Sequence, residues 1–136
     1  MSMQEGADAS EPSAEFVADV FARNCTSRAV FDDVTSKWSS LALLALLDGT
    51  YRFNALRRRV DGVSEKMLSQ TLRTLERDGL VVREVVDVIP ARVEYELTAL
   101  GSRVAARLRA LADLLQDAAP ELDAARTARD ECTTRA

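Results

Sequence analysis

Ser64, Lys66, Ser69, Gln70 and Arg73 place hydroxyl, amide and cationic side chains within one short run of the chain. Groups of these types hydrogen-bond to base edges, and the cations neutralise phosphate, so together they suit the reading of a nucleic-acid duplex. Leu68, Leu72 and Leu75 fall among them at helical spacing. The run therefore reads as a helix with one apolar stripe and one polar face. Ser64 can cap its first turn, and Gly79 can close it in a left-handed conformation. A helix anchored by leucine on one side and bearing Ser, Lys, Gln and Arg on the other fits a DNA major groove. The solvated face of a small α+β domain has the same pattern, and both readings stay open at this point.

Charge favours the first. The 136-residue chain has a net charge of −4, but residues 52–92 hold nine bases and six acids, while residues 1–36 hold two bases and seven acids. Phosphate responds to the local field rather than to the whole-chain balance. Arg57, Arg58 and Arg59 close a short helix pattern, and Arg92 follows a proline-containing loop. Arg57, Arg58 and Arg92 are candidate phosphate contacts. A solvated helix end is the alternative for Arg57–Arg59, and a surface side chain or partner to a nearby carboxylate is the alternative for Arg92.

Other chemistries lack their residues. There is no histidine and there are two cysteines, Cys25 and Cys132. A His-based triad and the usual zinc finger are thereby excluded, and two cysteines so far apart make no disulfide framework. No paired acid and base, activated nucleophile or phosphate loop is visible. We expect no enzyme, cofactor or metal. The longest apolar run, Leu41 to Leu47, is far below the roughly 20 residues of a membrane span. The acidic N-terminus does not resemble a secretory signal, so a cytoplasmic protein is expected, with no membrane partner.

The flanking elements must position the polar helix. Residues 1–13 read as a disordered acidic tail. Phe16, Val17, Val20 and Phe21 suggest a short amphipathic helix. Ala29, Val30, Phe31 and Val34 suggest another, starting near Ser27. Trp38 to Leu47 is apolar almost all round and reads as a buried central helix. Phe53, Leu56 and Val60 give a further short helix, and Asp61-Gly62 marks a turn into the Ser64–Asp78 helix. The period then changes. Leu80 to Val86 and Val93 to Leu97 read as strands of an antiparallel hairpin around a loop from Asp87 to Arg92. Thr98 can cap a further helix, in which Leu100, Val104, Leu108, Leu111 and Leu115 are expected to face the core. That leaves Ala105, Ala112, Leu114 and Ala118 for a partner. Pro120 is expected to interrupt it. The fold class is mainly α with a small β-hairpin, a winged helix-turn-helix. The domain spans 14–118, with dimerisation helices at 14–36 and 98–118, and 119–136 is a polar tail or short helix.

Particular residues carry a family resemblance over roughly residues 25 to 115. They are Lys37-Trp38, Leu47-Asp48-Gly49, Arg52-Phe53-Asn54, Leu56-Arg57-Arg58, the block from Val63 to Val81, the block from Pro90 to Thr98, and Leu100-Gly101. The chain resembles the HxlR-type regulators, small dimeric winged helix-turn-helix transcription factors of bacteria within a MarR-like superfamily. The resemblance implies that the helix from Ser64 to Asp78 contacts DNA and that Asp87 to Arg92 forms the wing. Ser64, Lys66, Ser69, Gln70 and Arg73 then face the groove, Arg57 and Arg58 meet the backbone, and Arg92 serves the wing. Trp38 and Tyr95 are read as core rather than base-stacking residues. The implied function is a homodimeric repressor on a near-palindromic operator, its two recognition helices about 34 Å apart.

Family members often carry a cysteine at the place of Cys25, usually followed by proline. Here Thr26 stands instead, and Thr35-Ser36 stands where many members have two glycines. Some members sense oxidants or electrophiles through that cysteine, which requires a thiolate. Cys25 lies near a helix start between Arg23 and Arg28, so it is a candidate redox sensor. A small buried interface residue without reactivity is the alternative. The same regulator gated at Cys25, or by a small ligand at the dimer interface, is thus a second reading. A winged-helix protein-interaction adaptor without DNA binding is a third, and the arginine-rich segment argues against it.

Overall fold

Ser64 starts the polar helix as expected: its hydroxyl accepts the backbone N–H of Met67 at 3.1 Å, satisfying a donor the helix itself leaves unpaired. At the other end Gly79 takes φ +76°. The Gly79 N–H then reaches the carbonyl of Glu76 and the Leu80 N–H that of Leu75, both at 3.0 Å, which is a complete Schellman closure. In the computed structural model, which describes residues 19–135, this helix is the fourth of six.

The elements run α1 (Thr26–Val34), α2 (Lys37–Leu46), β1 (Tyr51–Arg52), α3 (Phe53–Arg59), α4 (Glu65–Arg77), β2 (Val81–Val88), β3 (Ala91–Leu97), α5 (Ala99–Asp117) and α6 (Ala119–Arg135). The antiparallel sheet has the order β1-β3-β2, with Tyr51 opposite Tyr95 and Val81 opposite Leu97. Leu43 and Leu46 of α2, Leu56 of α3, and Leu68, Leu72 and Leu75 of α4 meet Leu80 and Tyr95 in one core. Trp38 packs against its edge. The core is what fixes the rotation of α4, because its leucine stripe has a single place to be buried. No helix among the described residues is long and apolar enough to cross a membrane.

Several expectations need correction. Phe16 and Val17 lie outside the described residues, and the residues from Val20 to Asn24 form turns and a bend rather than a helix. The two-residue strand β1 was not expected. The hairpin loop is shorter than the predicted Asp87–Arg92, since Val88 pairs with Ala91 across Ile89-Pro90. Helix α2 is not buried all round, for Leu41 is 40 % exposed.

The largest correction concerns α5. Gly101 and Ala105 are buried, and Val104 and Leu108 pack on the core, whereas Leu100, Leu111 and Leu115 are exposed along with Leu114. Ala105, assigned to a partner, is core. Leu100, Leu111 and Leu115, assigned to the core, are open. Close approach of Gly101 to the Leu80 backbone sets the rotation of the first turns and leaves Leu100 outward, and the 19 residues span roughly 28 Å, so the far end of the helix outruns the small core. Pro120 interrupts this helix as expected, for α5 ends at Asp117 and a separate helix, α6, begins at Ala119. It sits at the second position of α6, a helix of 17 residues, where its missing N–H would have had no helical partner in any case.

Candidate nucleic-acid interface

Helix α3, the turn through Asp61-Gly62 and helix α4 form a helix-turn-helix, with the β2–β3 hairpin following as a wing. Burying Leu68, Thr71, Leu72 and Leu75 turns the opposite face of α4 outward. Lys66, Gln70 and Arg73 are exposed there, at i, i+4 and i+7, so they share one stripe. Ser69 is half-buried at its edge, and its hydroxyl accepts from Arg73 Nη2 at 3.1 Å, which steers the guanidinium. Ser64 is exposed with its oxygen engaged as the cap. Its hydroxyl hydrogen is still able to donate.

Arg77 continues the stripe by one more turn, yet it is tied down. Its Nη2 lies 3.4 Å from Asp33 Oδ2 on α1, and its Nε lies 3.8 Å from Asp78 Oδ1. Of the four stripe residues, Arg77 is thus the one that meets carboxylates among the described residues. Asp78 has a side chain only 9 % exposed. Burial, and then the hydrogen bond and negative charge of Asp33, push its pKa from 3.8 to about 6 against the pull of Arg77. The folded state thus holds this proton more tightly than the unfolded chain does. The group's contribution to stability is present below about pH 4 and is lost as pH rises through about 6. Asp78→Asn should remove that decline and melt at a higher temperature than the parent at pH 7, with the two converging at pH 4. Parallel melting curves for the two proteins across pH 4 to 7 would show that Asp78 does not titrate in this way.

The arginines of α3 divide. Arg57 and Arg58 are exposed and pair with no carboxylate among the described residues, whereas Arg59 Nε lies 3.6 Å from Asp48 Oδ2. On the wing, Arg92 Nε stands 2.9 Å from Asp87 Oδ2 as an ion pair, although its N–H is not aimed at the carboxylate and makes no hydrogen bond. The carboxylate-partner alternative for Arg92 is therefore realised in the geometry. The wing tip is apolar: Ile89 is 92 % exposed, with Val85 and Val86 open behind it.

Sequence reasoning passed over Arg52 and Asn54 as candidate contacts. They lie on β1 and α3, next to the wing strand β3. Their type and place in the basic segment were visible, but without β1 nothing joined them to the wing.

Cys25 sits apart from this face, as the N-cap residue of α1. It is buried and not disulfide-bonded. The Ser27 hydroxyl, 2.9 Å from Sγ, is the main cause that lowers its thiol pKa, followed by the backbone N–H groups of Arg28 and Ser27, with burial and Asp19 opposing. The flanking arginines do not supply the activation. Arg28 instead pairs with Asp32 and donates to the carbonyl of Phe21.

Comparison with known proteins gives this geometry a context. The HxlR-like helix-turn-helix family matches residues 33–123. Over 111 residues the chain is 49 % identical to the uncharacterised HTH-type transcriptional regulator YtfH of Escherichia coli (strain K12), covering 82 % of this chain and 88 % of that one. The solved structure of the transcriptional regulator YtfH from Salmonella typhimurium is similar with a TM-score of 0.74 at 49 % identity, over 80 % of this chain and 97 % of that one. The redox regulator HypR in its reduced form is similar with a TM-score of 0.65 at 31 % identity, over 71 % of this chain and 96 % of that one.

Proposed function

Because this chain belongs to the HxlR-like helix-turn-helix family, we propose that it is a sequence-specific DNA-binding transcriptional regulator, acting in the cytoplasm as a homodimeric repressor on a near-palindromic operator. The observation that carries this reading is the exposed stripe of Lys66, Gln70 and Arg73 on α4, flanked by the wing and by Arg57 and Arg58, which pair with no carboxylate among the described residues. In this mechanism α4 enters the major groove and the wing flanks it along the backbone or minor groove. Phosphate contacts set the register, and Gln70 and Arg73 read base edges, for which their amide and guanidinium groups offer paired hydrogen bonds. The exposed Leu111, Leu114 and Leu115 of α5 support a two-fold partner that brings a second α4 about one duplex turn away.

A footprint over the DNA upstream of the protein's own gene tests this. Two protected half-sites roughly 34 Å apart centre to centre are expected, with affinity falling steeply as salt rises. Association that ignores salt would instead support the adaptor.

A gated form of the same regulator is favoured by one specific observation, the Ser27 hydroxyl 2.9 Å from Cys25 Sγ at the N-cap of α1, a contact that lowers the thiol pKa. HypR, to which the chain is similar, is a redox regulator. Hypochlorite would take the Cys25 thiolate to a sulfenic acid with release of chloride, and a second thiol, from a partner subunit or a small molecule, converts that to a disulfide with loss of water; diamide reaches the same disulfide through a thiol adduct that the second thiol displaces as the reduced hydrazine. Diamide or hypochlorite should then change operator binding by the parent and leave Cys25→Ser unaffected. An equal response in both removes Cys25 from the mechanism.

A further inference from the structure

We infer that Arg52, Asn54, Arg58 and Arg92 form one phosphate-binding cleft between α3 and the wing, which grips a backbone phosphate of the bound duplex and so fixes the register of α4 in the groove. The inference rests on the DNA-binding reading and adds to it a site with its own chemistry.

The four residues line a single open cavity of about 450 Å³, in which Ala55 and Ala91 are small enough to leave room for a phosphate group. They come from three elements. Asn54 and Arg58 are four residues apart on α3 and share a face. Arg92 is on β3, and the pairing of β1 with β3, which sets Arg52 opposite Glu94, carries Arg52 to the same place. Neighbouring arginines are neutralised, Arg59 by Asp48 and Arg77 by Asp33 and Asp78. Arg52 and Arg58 pair with no carboxylate among the described residues. Arg92 meets Asp87 through Nε, and a guanidinium has four further N–H donors. Two carboxylates, Asp87 and Glu94, stand beside three guanidinium groups, so the cleft keeps a positive balance. Planar guanidinium forks and an amide N–H match the oxygens of a phosphate. The occupant is a backbone phosphate because the cleft joins the first helix of the helix-turn-helix to the wing, the two elements that border the recognition helix along a duplex.

Anisotropy titrations of the full chain with operator and with an unrelated duplex, at several salt concentrations, test this. Arg52→Gln and Arg58→Gln should weaken binding to both duplexes by the same factor, about tenfold each. The slope of log affinity against log salt should become shallower by about 0.9 per lost contact, and Arg52→Lys should keep the parent slope. Asn54→Ala should weaken both duplexes equally with the slope unchanged. Should Arg52→Gln melt below the parent, Arg58→Gln and Asn54→Ala carry the test on helix α3. Parent-like affinity and slope in these variants, with Arg73→Ala still losing the operator, would overturn the cleft and leave the DNA reading standing. Loss confined to the operator would make these residues base readers and overturn it too. No binding of any duplex by the parent would overturn both readings.

Discussion

Gln70→Ala and Arg73→Ala are each expected to abolish the sequence-specific gel shift while leaving melting temperature and oligomeric state as in the parent. Both side chains are exposed on the face of α4 opposite its buried leucines, so truncation removes no core contact. A paired hydrogen-bond contact to a base edge contributes about 1–3 kcal/mol of discrimination, and a loss near 2 kcal/mol is roughly a thirtyfold fall in operator affinity. Arg73 also forfeits a cation, so its variant should lose part of the non-specific binding as well, and Gln70→Ala should not. The two effects need not add, because the side chains lie three residues apart on one turn. Ser69→Ala should give a smaller loss through Arg73, whose guanidinium its hydroxyl holds at 3.1 Å. Operator binding by Gln70→Ala and Arg73→Ala at parent strength would place the reading surface elsewhere.

Gly101→Ala is expected to destabilise the domain, the one added methyl among the described glycines that meets backbone at closer than 3 Å. Helix propensity alone predicts a gain of about 1 kcal/mol for this change. The tertiary structure reverses the sign. A methyl group at position 101 would overlap the carbonyl oxygen of Leu80 and lie 2.9 Å from its carbonyl carbon. That carbonyl accepts the Thr98 N–H at 3.0 Å, and the Thr98 hydroxyl donates to the Gly79 carbonyl at 2.7 Å while accepting the Gly101 N–H at 2.9 Å. The obstacle is hydrogen-bonded backbone, which cannot rotate aside as a side chain would. Overpacking of this kind costs about 3 kcal/mol, leaving a net loss near 2 kcal/mol and a melting temperature lower by roughly 8 °C. The same contact joins the start of α5 to the end of α4, so DNA affinity should fall as well. A variant that melts at or above the parent temperature would mean that α5 can withdraw from Leu80 without cost.

Much of the fold was legible because its signals are local. Ser64 and Thr98 as caps, Gly79 as a left-handed closure, the leucine stripe of α4 and the period change into the hairpin each depend on a few neighbouring residues. The order of elements and the polar face of α4 follow from these. What was misread depends on contacts distant in sequence. The strand β1 is only two residues long and exists because β3 pairs with it, so no pattern of its own could announce it. The inward face of α5 was assigned to its largest apolar residues. Close approach to the Leu80 backbone instead demanded the smallest, Gly101, with Ala105 buried one turn on.

The candidate site divides in the same way. Sequence by itself determined which side chains of α4 face outward, because burying Leu68, Leu72 and Leu75 leaves Lys66, Gln70 and Arg73 no other direction. Only the tertiary structure decided which cations remain available to phosphate. Arg59 and Arg77 meet carboxylates on neighbouring segments, Arg92 meets Asp87 through Nε alone and keeps its other N–H donors, and β1 brings Arg52 beside Arg58. Composition counts charges, but an ion pair or a cleft requires two segments to meet in space, and the packed core sets where they meet.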